Sequence, residues 1–286
     1  MPCRPPTRHS RSPRRKDDAR RVSAQPGPPP RWRALSQVSV PGASLERDDL
    51  SPAKVFLERL QERLQEIPEE DRRLLVVIAG HNGAGKTTIS DERLAAALAG
   101  ELEEHINPDE VERAIITDLG AGSHTKKEFE ELAAKEGSRR RLQYLDRETS
   151  FSFETVFSDP VQDKVRFMVE ARRRGYLVVL FAVGLDSIDK SKARVAIRHA
   201  KGGHDVRPDK LESRYGRVLE NFAYGARAAS LAIFFDNSED RREDGMDTYW
   251  DIAFFENGEL VVKDESPPAW WHQVESTFYR LNAGAM

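Results

Sequence analysis

One short segment, residues 74–90, constrains the fold more than any other part of the chain. Its sequence, LLVVIAGHNGAGKTTIS, is an apolar run of the kind buried in a parallel sheet, followed by a glycine-rich turn. The turn matches the pattern G-x-x-x-x-G-K-[ST] without a departure. A helical stretch is expected over residues 88–98, so the sequence predicts a strand, a loop and a helix in that order. This is the context that the pattern requires for phosphate binding.

The residues of the turn suit a nucleoside triphosphate. Glycines let the backbone curl so that successive N–H groups face one anion. Lys86 can reach the β- and γ-phosphates, Thr87 can hold Mg²⁺, and the helix that begins near Lys86 directs its positive end at the same charge. His81 more readily fills a variable position than acts in catalysis. We therefore predict that ATP or GTP binds with Mg²⁺ on these loop residues: Gly80, His81, Asn82, Gly83, Ala84, Gly85, Lys86, Thr87 and Thr88.

Composition limits the class of protein. The chain has 286 residues, 38% of them apolar and 33% charged, as expected for a soluble protein with a sufficient core. Its longest apolar run, residues 177–185, is far shorter than the roughly 20 residues of a membrane-spanning helix. Cys3 is the only cysteine, so no intrachain disulfide can form, and we expect a cytoplasmic location.

The first 33 residues differ from the rest in charge. They carry ten Arg or Lys against two Asp and include eight prolines, whereas the whole chain has a net charge of −3. Such a segment buries too little apolar surface to offset its ordering entropy. We predict a disordered basic arm over residues 1–49 and one domain over 50–286. The arm contacts nucleic acid or acidic surfaces, or is a solvated tail, or reflects a start codon placed too far upstream.

Strand and helix patterns alternate along the domain. Ser51 and Pro52 predict a helix start with a capping hydroxyl. Asn257 and Gly258 predict the turn of a C-terminal β-hairpin. The fold class is a P-loop NTPase-type parallel α/β sheet with helices on both faces, with its core in residues 74–238 and the hairpin and tail in 246–286. Further strands are expected at 104–107, 152–157, 176–184, 230–236, 249–255 and 259–263, and helices at 163–174 and 190–201.

Polar side chains that follow two of these strands are candidates for chemistry, since ligands of open α/β sheets bind beyond the carboxyl ends of the strands. Asp109 follows the second strand and could take a proton from an attacking hydroxyl, or could cap the next helix. Glu154 ends the third strand beside Thr155. It could serve Mg²⁺, its water shell or a substrate hydroxyl, or it could form a structural ion pair.

Five arginines lie in residues 192–217, a segment that Gly202, Gly203 and Pro208 interrupt and that could form a mobile lid. Arginines can stabilise a transferring phosphoryl group, although a run of charges is often a solvated helix face. We favour Arg198 and Arg207 as catalytic residues because they flank the interruption.

The fifth strand raises a competing assignment for the metal. Asp236 follows a run of apolar residues, as in a Walker B magnesium site, and it competes with Glu154 for that role. By analogy with kinases of this strand order, we expect the end of the strand to border the adenine, with Asn237 among the nucleotide-binding residues.

Together the segments GHNGAGKT, INPDEVER, FSFETVFSD, VGLDS, RVAIRHAKGGHDVRPDKLESRYGR and FFDNS resemble the zeta toxin family of P-loop kinases, over about residues 74–238. The resemblance implies transfer of phosphate from ATP to the sugar 3′-hydroxyl of UDP-N-acetylglucosamine, with Mg²⁺ as cofactor and an antitoxin as partner. It also implies these roles: Lys86 and Thr87 for phosphate and magnesium, Asp109 as base, Glu154 and Thr155 for substrate, Arg198 in the lid, and Arg207 or His204 as a second phosphate contact.

Two features leave alternatives open. The stretch after Glu154 lacks the arginine that many relatives carry, and Asp159 would repel a diphosphate if it faced the pocket. The exact sugar nucleotide therefore stays open. Separately, an ATPase switch that acts on a protein or nucleic-acid partner is kept as the alternative function.

Overall fold

The computed structural model describes residues 51–89, 98, 100–201, 206–239 and 249–283. The predicted arm over residues 1–49, most of the predicted helix over 88–98, and His204 lie outside these ranges. No helix within them is both long and apolar enough to cross a membrane.

The core of the described chain is a seven-stranded sheet with the order β2-β3-β1-β4-β5-β6-β7. Strands β1 to β5 pair in parallel, and β6 and β7 are antiparallel additions at one edge. The predicted fold class is therefore confirmed. The strands are β1 (Leu74–Gly80), β2 (Glu104–Ile106), β3 (Phe151–Thr155), β4 (Leu177–Gly184), β5 (Leu231–Asp236), β6 (Trp250–Glu256) and β7 (Glu259–Lys263).

Helices cover both faces of the sheet. Side chains of β1 alternate between two apolar clusters, with Leu75 and Val77 in one and Val76 and Ile78 in the other, because successive residues of a strand point to opposite faces. The helices are α1 (Pro52–Glu66), α2 (Lys86–Ile89), α3 (Pro108–Leu119), α4 (Lys126–Arg147), α5 (Asp163–Arg173), α6 (Ile188–Ala200), α7 (Pro208–Ala228) and α8 (Ala269–Ala283), with a short 3₁₀ turn at Glu69–Asp71.

The C-terminal hairpin forms as predicted. Strands β6 and β7 are joined at Asn257 and Gly258, which have φ angles of 50° and 81°. Two successive residues with positive φ are typical of the tight turns that match the twist of paired strands.

The predicted capping hydroxyl of α1 is wrong. Ser51 occupies the N-cap position, but its side chain does not bond to the first turn. The cap comes from β6 instead, because the Asp251 carboxylate accepts from the Ala53 N–H at 2.8 Å and from the Ser51 hydroxyl at 2.5 Å. A contact between residues almost 200 positions apart leaves no local signal in the sequence.

Candidate active site

The site lies where the strand order reverses. The glycine-rich loop leaves the carboxyl end of β1, which has β3 on one side and β4 on the other, and such switch points are where open α/β sheets bind ligands. A cavity of about 670 Å³ opens there. It is lined by Asn82, Gly83, Gly85, Lys86, Thr87, Thr88, Asn107, Pro108, Asp109, Glu154, Thr155, Val156, Arg194, Ile197, Arg198, Lys201, Asn237, Glu239 and Tyr249.

The loop has the backbone conformation that its glycines permit. Gly83 and Gly85 have φ angles of 76° and 88°, which residues with a side chain rarely adopt. Helix α2 begins directly after the loop at Lys86. The loop and the start of the helix thus form a cradle of backbone N–H groups of the kind that binds anions.

The Lys86 ammonium group is buried at the base of the cradle. It donates to the carbonyl oxygens of Gly80, at 3.1 Å, and His81, at 3.0 Å. Burial lowers the pKa of Lys86, and the negative charge of Glu154 partly offsets this effect. A buried cation that rests on carbonyl oxygens is well placed to attract a phosphate group.

Glu154 lies one residue before the end of β3 and contacts the loop. Its side chain is only 6% exposed, and one carboxylate oxygen accepts from the Thr87 hydroxyl at 3.2 Å. The other oxygen lies 3.5 Å from both the Asn107 amide and the His105 imidazole. The structure therefore brings together the two residues predicted for magnesium, and adds Asn107 and His105, which sequence reasoning did not select.

The alternative role of Asp109 as a helix cap is wrong. Asn107 caps α3, and its side-chain oxygen accepts from the Asp109 N–H at 2.9 Å. The Asp109 carboxylate lines the cavity and lies 3.6 Å from an Arg198 nitrogen. Asp109 is thus available for chemistry at the cavity.

Asp236 does not line the cavity. Its carboxylate is buried, where it accepts from the Ser238 hydroxyl at 2.6 Å and from the Trp270 indole N–H at 2.6 Å. Both of these donors bond to Oδ1, and the Ser238 N–H donates to Oδ2 at 3.0 Å, so both oxygens belong to a structural network. Of the two carboxylates considered for magnesium, only Glu154 lies at the loop.

Asp159 also has a structural role. It accepts a hydrogen bond from the Asp163 N–H at the start of α5 and lies 3.7 Å from the Lys164 ammonium. Asp159 is not among the residues that line the cavity. The predicted repulsion of a diphosphate required Asp159 to face the cavity, so this condition is not met.

The two favoured arginines are placed differently. Arg198 lines the cavity, whereas the Arg207 side chain is 71% exposed and pairs with Asp209 at 2.7 Å outside it. Arg214, on the next turns of α7, is partly buried and close enough for its charge to lower the pKa of Lys86. Arg207 was predicted because it flanks the Gly202, Gly203 and Pro208 interruption, whereas the charge that acts on Lys86 from α7 is that of Arg214.

His81 belongs to the loop but its imidazole points away from the cavity. The ring is 3% exposed and stacks on Tyr215 of α7, with centroids 4.5 Å apart. Burial lowers the pKa of His81 to about 3. This agrees with the expectation that His81 has no direct part in catalysis.

Three further side chains hold the loop from outside. Ser191 of α6 donates to the Asn82 carbonyl at 2.7 Å. Asn237 and Tyr249, which flank the segment between β5 and β6, donate to loop carbonyls at 2.9 Å and 2.6 Å. Ser191 and Tyr249 were missed because nothing in their local sequence marks them.

Magnesium fits the oxygen atoms at the loop. A hydroxyl and a carboxylate, from Thr87 and Glu154, are the kinds of donor that Mg²⁺ prefers. Across the described ranges, no group of three or more His, Cys, Asp or Glu side chains is arranged to hold a metal ion. Mg²⁺ bound with phosphates keeps few protein ligands, since phosphate oxygens and water complete its shell.

The parallel sheet, the glycine-rich loop at its switch point and the charged groups around the cavity define a protein of the P-loop kinase class. The family model for Zeta toxin matches residues 57–241, more than half of the chain. The chain therefore belongs to the zeta toxin family, which confirms the resemblance found in the sequence motifs.

Two solved structures with a TM-score of 0.52 have the same fold. A crystal structure of AvrRxo1-ORF1:AvrRxo1-ORF2 with sulphate ions is 17% identical, covers 89% of this chain and 78% of that chain, and has a TM-score of 0.52. The native AvrRxo1-ORF1:-ORF2 complex is 18% identical, and the match covers 89% of this chain and 79% of that chain, with the same TM-score of 0.52. A structure from the PezAT toxin-antitoxin system of Streptococcus pneumoniae is 13% identical to this chain. The match covers 81% of this chain and 95% of that chain, with a TM-score of 0.49. No curated protein matches the chain in sequence.

Proposed function

We propose that the protein transfers the γ-phosphoryl group of ATP to a hydroxyl of a small molecule, and that this acceptor is a sugar nucleotide like UDP-N-acetylglucosamine. The observation that carries the proposal is the shared cavity, in which Lys86 of the loop, Glu154 of β3 and Asp109 of α3 meet. Membership of the zeta toxin family supports the choice of acceptor.

The loop side of the cavity suits the nucleotide. Backbone N–H groups, the buried Lys86 ammonium and the start of α2 all favour negative charge there. Thr87 and Glu154 would hold Mg²⁺, which supplies positive charge to the phosphates when it is bound. These groups bind and orient the triphosphate without taking part in covalent chemistry.

Asp109 acts as the base in the proposed reaction. The acceptor oxygen would form a bond to the γ-phosphorus while the bond from that phosphorus to the bridging oxygen of ADP breaks. The proton of the acceptor hydroxyl passes to the Asp109 carboxylate, which lines the cavity. Arg198, 3.6 Å from Asp109, restrains this carboxylate.

Arginines from two helices would stabilise the charge on the transferring group. Arg198 lies in the last turn of α6 and lines the cavity, and Arg214 of α7 lies within electrostatic reach of Lys86. We assign the second phosphate contact to Arg214 in place of Arg207, whose guanidinium is paired with Asp209 in solvent. Positioned positive charge is a major source of catalysis in phosphoryl transfer.

A protein partner forms part of the proposal. The structure with a TM-score of 0.52 contains two proteins, AvrRxo1-ORF1 and AvrRxo1-ORF2. We propose that this chain, too, binds a second protein that acts as its antitoxin, and that both function in the cytoplasm, where ATP and sugar nucleotides are available.

Mass spectrometry of the reaction products tests the proposed activity. The wild type with Mg²⁺, ATP and UDP-N-acetylglucosamine should give a product heavier by one phosphoryl group. Lys86→Ala and Asp109→Asn should each lower the rate by about 10²-fold or more. Arg214→Ala should lower it by a similar factor, whereas Arg207→Ala, the matched control, should change it less than about threefold.

The pattern of outcomes separates the parts of the proposal. If ATP binds but no phosphorylated product forms, the proposed sugar-nucleotide acceptor is wrong. ATP hydrolysis stimulated by a protein or nucleic acid would favour the ATPase switch. Equal effects of Arg207→Ala and Arg214→Ala would contradict the assignment of the second arginine.

A further inference from the structure

Two side chains next to the paired ends of β5 and β6 hold successive carbonyl groups of the loop. The Asn237 amide donates to the Ala84 carbonyl at 2.9 Å, and the Tyr249 hydroxyl donates to the Gly85 carbonyl at 2.6 Å. Asn237 follows β5 and Tyr249 precedes β6. Both also line the cavity.

The direction of a carbonyl group determines the direction of the neighbouring N–H. In a trans peptide the C=O and N–H bonds point to opposite sides. A donor on the Ala84 carbonyl therefore restrains the N–H of Gly85. The Gly85 carbonyl accepts from Tyr249 and also from the Ile89 N–H at 3.1 Å, and together these donors restrain the N–H of Lys86. These are N–H groups of the loop and of the first turn of α2, where anions bind.

Gly85 is the residue that allows both donors to approach. A Cβ atom added there would lie 2.4 Å from the Tyr249 hydroxyl and 2.6 Å from the Asn237 amide nitrogen. Its φ angle of 88° would also strain any other residue. The glycine of the loop pattern is thus required at this position by contacts with distant parts of the chain as well as by backbone conformation.

Both donors are themselves held in place. The Asn237 N–H donates to the Gly184 carbonyl at 3.2 Å, and the Asn237 carbonyl accepts from Arg194 at 2.6 Å. The Tyr249 ring is buried and meets Phe235 edge-on at 6.4 Å. Rigid donors impose a direction on the groups they contact, which mobile side chains do not.

We propose that Asn237 and Tyr249 are positioning residues that orient the loop N–H groups toward the triphosphate. This assigns Asn237 a different role from the border of the adenine predicted from the sequence. The inference rests on the nucleotide site of the proposed function, but it depends neither on the acceptor nor on turnover.

Calorimetric titration with two ligands tests the assignment. Magnesium tripolyphosphate has the phosphates of ATP without the base. Tyr249→Phe and Asn237→Ala should each weaken binding of both tripolyphosphate and MgATP by about two- to tenfold, the effect of losing one hydrogen bond. Adenosine, which has no phosphate, should bind the variants and the wild type equally.

Tyr176→Phe is the matched control. Its hydroxyl also donates to backbone carbonyls, those of Tyr144 and Thr149, but at the amino ends of the parallel strands. This variant should bind both ligands as the wild type does. Thermal unfolding of each variant reports whether it is folded, and the two single substitutions test the inference independently.

Two results would overturn the inference. Weaker binding of MgATP and adenosine with unchanged tripolyphosphate affinity would place the two side chains against the base. Unchanged affinity for every ligand would show that the loop needs no support from them. A wild type that binds tripolyphosphate without transferring phosphate to any acceptor would overturn the kinase activity alone, while the predicted losses of affinity would still support the positioning role.

Discussion

At the scale of single residues, burial lowers the pKa of two basic side chains of the loop, Lys86 and His81, but in the described part of the chain only Lys86 has a carboxylate close to it, that of Glu154. Lys86 is buried against two carbonyl oxygens and close to Glu154, so it keeps groups that stabilise its positive charge. His81 is buried between apolar and aromatic groups, and its Nδ1 atom has no hydrogen-bond partner among the described residues. Burial therefore favours the neutral form of His81.

The lowered pKa of His81 predicts a pH dependence of the free energy of unfolding. The pKa of His81 falls from 6.5 to about 3 on folding, so between these values the unfolded chain binds more protons than the folded one. Stability should then rise with pH over this window and be lost as the pH falls below 6.5. Between pH 7.5 and pH 5.0 the wild type should lose about 2 kcal/mol through this residue.

Urea unfolding of His81→Phe at the two pH values measures the effect. Phenylalanine preserves a ring beside Tyr215 but does not titrate, and all other ionisable groups are common to both proteins. The stability difference between pH 7.5 and pH 5.0 should be about 2 kcal/mol smaller in the variant. An equal pH dependence in both proteins would show that His81 is not buried in the neutral form.

The sequence predicted the site residues that follow strands, but not those that reach them from elsewhere. Lys86 and Asp109 follow β1 and β2 within six residues, Glu154 lies near the end of β3, and the carboxyl ends of parallel strands meet at one edge of the sheet. Tyr249 reaches the loop from the start of β6, and the charge of Arg214 acts on Lys86 from α7. Their positions depend on tertiary structure, which a one-dimensional pattern does not contain.

At the scale of secondary-structure elements, helix α1 depends on a strand for its beginning. The Asp251 carboxylate of β6 accepts from the Ala53 N–H, so the first turn of α1 is capped by a residue from the opposite end of the domain. Phe56 of α1 then packs edge-on against Phe181 and Phe254 of the sheet. The cap and the aromatic contacts together fix α1 on this face.

Removal of this cap should destabilise the protein measurably. Asp251→Ala should lower the free energy of unfolding by about 1 to 2 kcal/mol, the usual cost of losing an N-cap. Asp118→Ala removes an exposed carboxylate from the last turn of α3 and should change stability by less than about 0.5 kcal/mol. Equal losses in urea unfolding of the two variants would contradict the capping role.

The predicted elements were those with a strong local pattern. Strands β1, β4 and β5 are buried apolar runs, and the Asn-Gly turn specifies the hairpin. Helix α4 was missed because its 22 residues are mostly charged and only four are buried. Helix α8 lies in the predicted C-terminal tail and was not predicted as a helix. Its aromatic residues point to a buried helix only when their contacts with the sheet are known.

At the scale of the whole molecule, α8 connects the end of the chain to the centre of the sheet. Its Trp270 indole donates to Asp236 at the end of β5, and its Trp271 packs against Phe234 and Phe255. The network around Asp236 also includes Ser238, whose hydroxyl accepts from the Asp186 N–H after β4. The C-terminal helix thus stabilises the strand ends next to the candidate site.

The contact between α8 and β4 leaves no room for a side chain on Gly184. A Cβ atom there would lie 2.3 Å from the Trp270 ring, so Gly184→Ala should destabilise the protein by about 1 to 3 kcal/mol through overpacking. Gly216→Ala is the matched control, since it has no atom within 4 Å of the added Cβ and lies in α7. It should stabilise the protein by about 0.5 to 1 kcal/mol.

A double-mutant cycle measured by urea unfolding assigns this cost to the contact with α8. Trp270→Leu alone should destabilise the protein by about 3 kcal/mol, because it leaves a cavity and removes a donor from Asp236. It also makes room for a Cβ atom at Gly184, so the double variant should be more stable than the sum of the single effects by at least about 0.5 kcal/mol. Strict additivity would mean that the alanine is accommodated elsewhere, and that α8 does not restrict the end of β4.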